Sequence, residues 1–207
     1  MATLATVGGK ITAALFNELV LAVNLMGSQS VAPTSVAGTG VSVDPASGVV
    51  TFSAASSVTV NGCFTADFAN YELDWDIPTT SSNNNLTFQL RASGSTATTA
   101  YDRLTNGGTG AVSTSTVANN LNQASWQVAA ATTAQHFSVL RLFRPFVAVP
   151  TDGILTGNGT TNPPTAATTF AIQQSHVYHR TATAYHGFVL TASTGTITGT
   201  LRIKGLR

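Results

Sequence analysis

The stretch Tyr71-Glu-Leu-Asp-Trp-Asp-Ile77 alternates strictly between large apolar and acidic side chains. Successive side chains of a β-strand point to opposite faces, so the apolar residues of this stretch share one face and the acids share the other. This pattern predicts a strand that is half-buried against a core, with Tyr71 and Trp75 on the buried face.

Further runs with the same character lie along the chain. The closing segment Gly199-Thr-Leu-Arg-Ile-Lys-Gly-Leu-Arg207 alternates small, apolar and basic residues, and we expect it to lie within a strand. Phe137-Ser-Val-Leu-Arg-Leu-Phe143 is apolar on both faces, which is typical of a central strand. The complete set of other predicted strands is Val49–Ser53, Ser57–Val60, Asn85–Ala92, Ala124–Ala130, Gln135–Val149, Thr169–His179, Ala184–Ala192 and Thr196–Leu206.

The segments between these runs are rich in Gly, Asn, Ser and Pro, which favour turns. The main predicted loops are Ser81–Asn85, Thr105–Gly110 and Thr151–Thr168. Many short strands separated by such turns predict a mainly β fold, an antiparallel β-sandwich that resembles a jelly roll. No segment with helical periodicity follows Met26, and this argues against an α/β fold.

The residues from Lys10 to Met26 predict a short N-terminal helix. Phe16, Leu19, Val23 and Met26 fall at a/d-type spacing on one apolar face, and Gly27-Ser28 ends the run. A helix this short is marginal alone in water, so its apolar face needs a partner. The partner is either the β module or copies of the same helix, and we expect three copies to bury it.

These patterns divide the sequence into three segments. Residues 1–27 are predicted to form the anchoring helix, and residues 58–207 the β-sandwich display module. Residues 28–57 are rich in Ser, Ala, Val and Gly, and they are interpreted either as a stalk or as an added β-hairpin.

Charged residues make up only 8% of the chain, against about 25% in ordinary soluble domains, and the formal net charge is +1. Such a chain has little electrostatic protection against self-association. Its nine Lys and Arg residues are spread singly, so nucleic-acid binding is not expected. The N-terminal sequence has neither a secretory signal nor a membrane-spanning run, which predicts synthesis in a cytoplasm without membrane insertion.

Candidate catalytic and metal-binding residues are few. His176 and His179 would point to opposite faces of one strand, so we do not expect them to share a metal ion. Glu72, Asp74 and Asp76 are predicted on one face of a flat strand, where the surrounding backbone carbonyl ligands that Ca²⁺ uses are missing. We therefore expect these acids to be solvated or paired with arginine.

The sequence also offers no nucleophile elbow, phosphate loop or dinucleotide fingerprint, and the single Cys63 is expected to be a buried, inert thiol. We therefore predict no enzyme, no cofactor and no metal.

Three blocks of the sequence resemble small structural proteins of tailed bacteriophages, especially those of actinobacterial hosts. Gly9-Lys-Ile-Thr-Ala-Ala-Leu-Phe-Asn17 is similar to their Thr-Ala-x-x-x-Asn opening. Val60-Asn-Gly-Cys-Phe-Thr-Ala-Asp-Phe-Ala-Asn-Tyr71 resembles a recurrent V-x-G-x-F-x-x-x-[FY]-x-N-Y segment, and Gly199–Arg207 resembles their G-T-[IVL]-R-[IV]-x-G-x-R close. The His-x-His iron-binding repeat of some fibre tips is absent from the sequence.

The resemblance implies a homotrimer with an N-terminal anchor and an outward-facing β module, of the tail-fibre or head-fibre type. We therefore expect a virion protein, made in the host cytoplasm and exposed on the particle, that docks to capsid or tail proteins through its helix. Its β module would attach to a host-surface glycan. The alternatives are a capsid decoration protein that stabilises the shell and, from another class, a glycan-degrading enzyme.

Receptor-binding residues are predicted where an aromatic or an irregular loop departs from the strand pattern, because loops on a rigid sheet often carry binding. These residues are Tyr101, Trp126, Asn158 and Asn162. For Trp126 the alternative is a core position in its own strand.

Overall fold

A computed structural model describes residues 27–82, 84–109, 112–132, 135–160 and 170–207. Within these ranges the protein is all-β, and no helix occurs. The strands are β1 (Gln29–Ser30), β2 (Ser35–Ala37), β3 (Val41–Val43), β4 (Val50–Ala55), β5 (Ser57–Asn61), β6 (Asn70–Thr80), β7 (Asn84–Ala92), β8 (Ser95–Thr96), β9 (Tyr101–Thr109), β10 (Val112–Gln123), β11 (Trp126–Thr132), β12 (His136–Phe143), β13 (Thr151–Thr160), β14 (Phe170–His179), β15 (Gly187–Ala192) and β16 (Ile197–Leu206).

The strands form two antiparallel sheets, as the predicted β-sandwich requires. The larger sheet has ten strands in the order β10-β9-β14-β13-β12-β6-β16-β4-β3, with β1 added beside β16. The smaller sheet has six strands in the order β11-β7-β15-β5-β2, with β8 added beside β7. Strand β11 of the smaller sheet packs across β9, β12, β13 and β14 of the larger one.

Strand β6 lies near the middle of the larger sheet, between β12 and β16, and confirms the prediction from its alternating sequence. Its apolar side chains, including Tyr71 and Trp75, are buried. On the smaller sheet, Phe88 stacks on both Phe188 and Trp126, with ring centroids 4.8 and 5.9 Å away. The core is therefore one apolar layer between the two sheets.

Residues 28–57 contribute strands to both sheets. Strand β1 pairs with β16 and β4 pairs with both β3 and β16, whereas β2 pairs with β5 of the smaller sheet. Val50, Phe52 and Ala55 are buried in the common core. This segment is thus integrated in the sandwich and does not form a separate stalk.

Two predicted loops are in large part strands. Strand β9 continues to Thr109, and β13 covers Thr151–Thr160 of the long segment assigned to a loop. The glycines of β13 allow close packing between strands: a Cβ on Gly153 would lie 2.6 Å from the carbonyl oxygen of Arg141. These glycines therefore mark tight strand packing. The prediction of a loop was wrong for residues 151–160, and residues 161–168 lie outside the described residues.

The predicted strand Gln135–Val149 is also shorter than expected. Strand β12 ends at Phe143, because Arg144 has a φ of 55° and begins a turn in which Val147 N–H donates to the Arg144 carbonyl at 3.1 Å. Phe137 is 47% exposed, so this central strand is buried on one face only.

The predicted N-terminal helix, with Phe16, Leu19, Val23 and Met26, lies outside the described residues, and the predicted trimer stays a prediction. In the part of the chain that the structure covers, we find no helix with the length and hydropathy needed to cross a membrane.

Candidate functional site

The structure places two of the predicted receptor-binding residues inside the protein. Tyr101 and Trp126 expose 0% and 1% of their surface, and their rings pack edge to face with centroids 5.1 Å apart. Neither side chain reaches the solvent, so their prediction as surface contacts is corrected here. Trp126 instead fills a core position in β11.

Both residues hold the two sheets together. The Tyr101 hydroxyl on the larger sheet accepts the Leu90 N–H of the smaller sheet at 2.8 Å and donates to the Ala97 carbonyl at 3.1 Å. The Trp126 indole N–H on the smaller sheet donates to the Tyr178 carbonyl of the larger sheet at 3.3 Å. Burial raises the pKa of Tyr101, which therefore stays protonated as a structural group.

Of the other two predicted receptor-binding residues, the structure describes only Asn158. Asn158 lies within β13, in register with Phe137 of β12, and not in a loop. Asn162 lies outside the described residues.

The outward-facing surface of the larger sheet, called the outer face below, has a charged half formed by β6, β12 and β16. Arg141 Nε lies 2.8 Å from Glu72, and Lys204 Nζ lies 3.0 Å from both Glu72 and Asp74. Partial burial disfavours the charged form of Glu72, but hydrogen bonds from Lys204 and Arg141 outweigh it and hold the pKa of Glu72 below its ordinary value. The prediction that basic residues pair with this acidic face is confirmed.

The other half of the outer face carries exposed aliphatic side chains among polar ones. Leu104 and Ile154 are each 50% exposed and Val117 is 71% exposed, and we call these three residues the aliphatic patch. They line a shallow depression of about 520 Å³ together with Thr156 and Gln174 and their neighbours. His176 lies at its edge, with Nε2 2.6 Å from a carboxylate oxygen of Asp152.

A second cavity, of about 220 Å³, is lined mainly by residues that bear a hydroxyl group, and we call it the threonine pocket. His179 lies in its wall, with Nε2 3.0 Å from the Thr99 carbonyl and Nδ1 3.0 Å from the Tyr185 hydroxyl. Because a carbonyl only accepts, Nε2 carries the proton and Nδ1 accepts from Tyr185. Burial lowers the pKa of His179 and favours this neutral form. The complete lining is Ala92, Ser95, Thr96, Ala97, Thr98, Thr99, His179, Thr181, Thr183 and Tyr185.

The histidines of β14 behave as the sequence predicted. His179 is buried and His176 is exposed, so they lie on opposite faces of the strand. Within the described ranges, no three His, Cys, Asp or Glu side chains form a group able to hold a metal ion. Cys63 is a buried free thiol whose pKa is raised by burial.

A third cavity, of about 190 Å³, was missed by the sequence analysis, and we call it the arginine pocket. It is lined by Arg103, Asn120, Gln123, Ala124, Ser125 and Gln127. The buried Arg103 guanidinium donates to the backbone carbonyl of Gln127 and, at 3.3 Å, to its side-chain oxygen. One feature of the sequence could have indicated this pocket. In the run Tyr101-Asp-Arg103, Arg103 lies two residues after Tyr101, so both share the buried face once this segment is recognised as a strand.

Among the residues that the structure describes, no carboxylate lines any of these three cavities. Their linings supply hydroxyl, amide and imidazole groups and one guanidinium group, all of which can hydrogen-bond to polar ligands. Comparison with protein-family models, with curated proteins and with solved structures gave no match.

Proposed function

We propose that this protein is a structural component of a tailed-bacteriophage particle, a homotrimeric appendage that attaches to host-surface glycans. In this proposal the helix 10–26 docks the trimer to capsid or tail proteins, and the β-sandwich faces outward. The virion role rests on the resemblance of three sequence blocks to phage structural proteins, and the observation that carries the assembly of copies is the aliphatic patch on the outer face of a charge-poor sandwich. Such an exposed patch is a feature of surfaces that contact another macromolecule.

The occupant that we assign to the aliphatic patch is a second copy of the same chain. Leu104, Val117 and Ile154 carry no charge, and the neighbouring acid Asp152 contacts the His176 ring at 2.6 Å. Contact between copies at these three side chains therefore buries apolar surface. The net charge of +1 over 207 residues gives little repulsion between copies.

Glycan attachment is supported by two cavities of the sandwich that present hydrogen-bonding groups. The threonine pocket offers hydroxyl groups, and the arginine pocket offers amides and a guanidinium. Binding sites built from Ser, Asn and similar residues use adaptable hydrogen bonds and need little charge. These groups match the hydroxyl-rich surface of a sugar.

A glycan-degrading enzyme is the alternative from another class. Glycoside hydrolysis ordinarily uses two carboxylates on either side of the scissile bond, about 5 to 9.5 Å apart. The described acids lie elsewhere, and several of them pair with basic residues on the outer face. This distribution favours the binding protein over the enzyme.

Competition for host cells tests the proposal. Purified full-length protein, added in excess, is expected to bind host cells and to reduce adsorption of the phage that encodes it. A chain that binds no cells and leaves adsorption unchanged would favour the capsid-decoration alternative, in which the same patch contacts neighbouring shell subunits. Release of sugar from host cell walls by the pure protein would favour the enzyme.

A further inference from the structure

The arginine pocket holds a buried cation that has no counterion among the described residues. Arg103 is only 8% exposed, and within the described chain no carboxylate lies within ion-pair distance of it. Its neighbour Asp102 points to the opposite face of β9 and pairs with Arg180 at 3.1 Å. The two hydrogen bonds to Gln127 use only part of a guanidinium that has five N–H donors.

Burying such a charge is costly unless it is paired. Burial lowers the pKa of Arg103, yet an arginine guanidinium remains protonated in proteins. The fold therefore keeps a fixed positive charge beneath a small cavity, with N–H donors that bond to none of the described residues.

The rest of the cavity is polar and open to solvent on one side. Asn120 lies directly opposite Arg103 in the β9–β10 register, so both side chains occupy the inner side of this hairpin. Ser125 and Ala124 form the turn into β11, and Gln123 and Gln127 complete the wall. A volume of about 190 Å³ is below the roughly 300 Å³ of drug-sized ligand sites, so the cavity suits one small ring or group.

We propose that the arginine pocket binds the carboxylate of an acidic sugar, a uronic acid, with Arg103 as the anion-binding group. A planar carboxylate matches the fork of a guanidinium, and its single negative charge is balanced by this single cation. A phosphate dianion would leave excess negative charge in a partly buried site. The amide and hydroxyl groups around Arg103 then hydrogen-bond the sugar hydroxyls. The choice of a sugar rests on the proposed glycan attachment, whereas the anion site rests on Arg103 alone.

Binding of D-glucuronate to the full-length protein tests the proposal, followed by NMR of the arginine Nε–H groups. We expect a saturable shift with D-glucuronate that weakens at high salt, and no shift with D-glucose at the same concentration. If phosphate binds more tightly than glucuronate, the proposal that the pocket takes a singly charged carboxylate is overturned. Acetate that binds as tightly as glucuronate would overturn the assignment to an acidic sugar.

The variant Asn120→Asp tests the pocket without removing the buried arginine. It places a carboxylate of the same shape opposite Arg103, so we expect a higher melting temperature and at least tenfold weaker binding of glucuronate. The matched control is Asn119→Asp, which adds the same charge on the outer face and is expected to leave glucuronate binding unchanged. If Asn120→Asp binds glucuronate as tightly as the wild type does, the assignment of the arginine pocket as the glucuronate site is overturned.

These results are separable from the proposed function. If the protein binds glucuronate at Arg103 but does not compete for host cells, the attachment role is contradicted and the binding site stands. If Asn120→Asp competes for host cells as well as the wild type does, attachment does not use this site and the attachment role stands.

Discussion

At the residue scale, two neighbours in β6 show how strongly the strand separates its two faces. Trp75 is 1% exposed in the core, whereas Asp74 lies on the outer face and contacts Lys204 at 3.0 Å. The Trp75 indole nitrogen makes no hydrogen bond to the residues that the structure describes. Its contribution to stability therefore comes from packing.

We predict that Trp75→Ala lowers the free energy of unfolding by about 3–5 kcal/mol, the usual cost of truncating a buried aromatic. Asp74→Asn removes a partly exposed ion pair and is expected to cost less than about 1 kcal/mol. Trp75→Phe keeps most of the packing and loses no hydrogen bond, so its cost lies between these values. Urea denaturation measures all three. Equal costs for Trp75→Ala and Asp74→Asn would contradict the assignment of the two faces.

His179 gives a prediction for pH. Its pKa is lowered in the folded state by burial, so between the folded and unfolded pKa values the unfolded chain binds more protons. Stability is then complete above the ordinary histidine pKa and falls as the pH drops below it. We expect the melting temperature to fall from pH 7 to pH 5, and the slope to flatten in His179→Gln. An unchanged slope in His179→Gln would contradict the buried neutral histidine.

At the element scale, the sequence predicted those strands whose own side chains alternate or are β-branched. Strand β6 is the clearest case, since its apolar residues alone fix which face is buried. Strands β9, β10 and β13 were missed because Gly, Asn and Thr carry the local signal of a loop. Strand β9 pairs with the distant β14, and local propensity does not report this pairing. Because strand β9 was missed, the sequence did not indicate that Arg103 is buried, and Tyr101 was wrongly predicted to be a surface residue.

Gly153 tests whether Thr151–Thr160 is a packed strand. In the larger sheet, a Cβ at this position would lie 2.6 Å from the Arg141 carbonyl oxygen and 3.0 Å from side chains of Leu142 and Val177. We therefore predict that Gly153→Ala costs about 1–3 kcal/mol of stability through overpacking. Thr156→Ala, in the same strand but exposed, should stay within about 0.5 kcal/mol of wild type. A neutral Gly153→Ala in thermal unfolding would favour the loop.

At the scale of the whole molecule, the two-sheet architecture was predictable and the binding surfaces were not. The alternation of core residues requires two facing sheets, but exposure depends on how the sheets overlap. Leu104, Val117 and Ile154 look like core residues in sequence, yet they lie on the outer face. Their exposure leads to our assignment of a contact between copies.

We predict that the full-length protein sediments at three times the 21.3 kDa mass of the chain, independently of concentration. Leu104→Asp combined with Ile154→Asp should shift it toward monomer, because contact between copies would then bury unpaired charges. Leu19→Asp combined with Val23→Asp should weaken assembly while the β signal in circular dichroism is kept. Thr51→Asp with Ser53→Asp, at exposed positions of β4, is the control. A wild-type monomer at all concentrations would contradict the trimer.

Imaging of purified phage particles that carry a tagged copy of this chain tests the proposed function most directly. We predict label on intact particles, in groups that reflect sets of three chains and project from the surface. Label spread over the whole shell would point to the decoration role. Intact chain in the infected-cell lysate, with no label on the purified particles, would contradict the assignment to the virion.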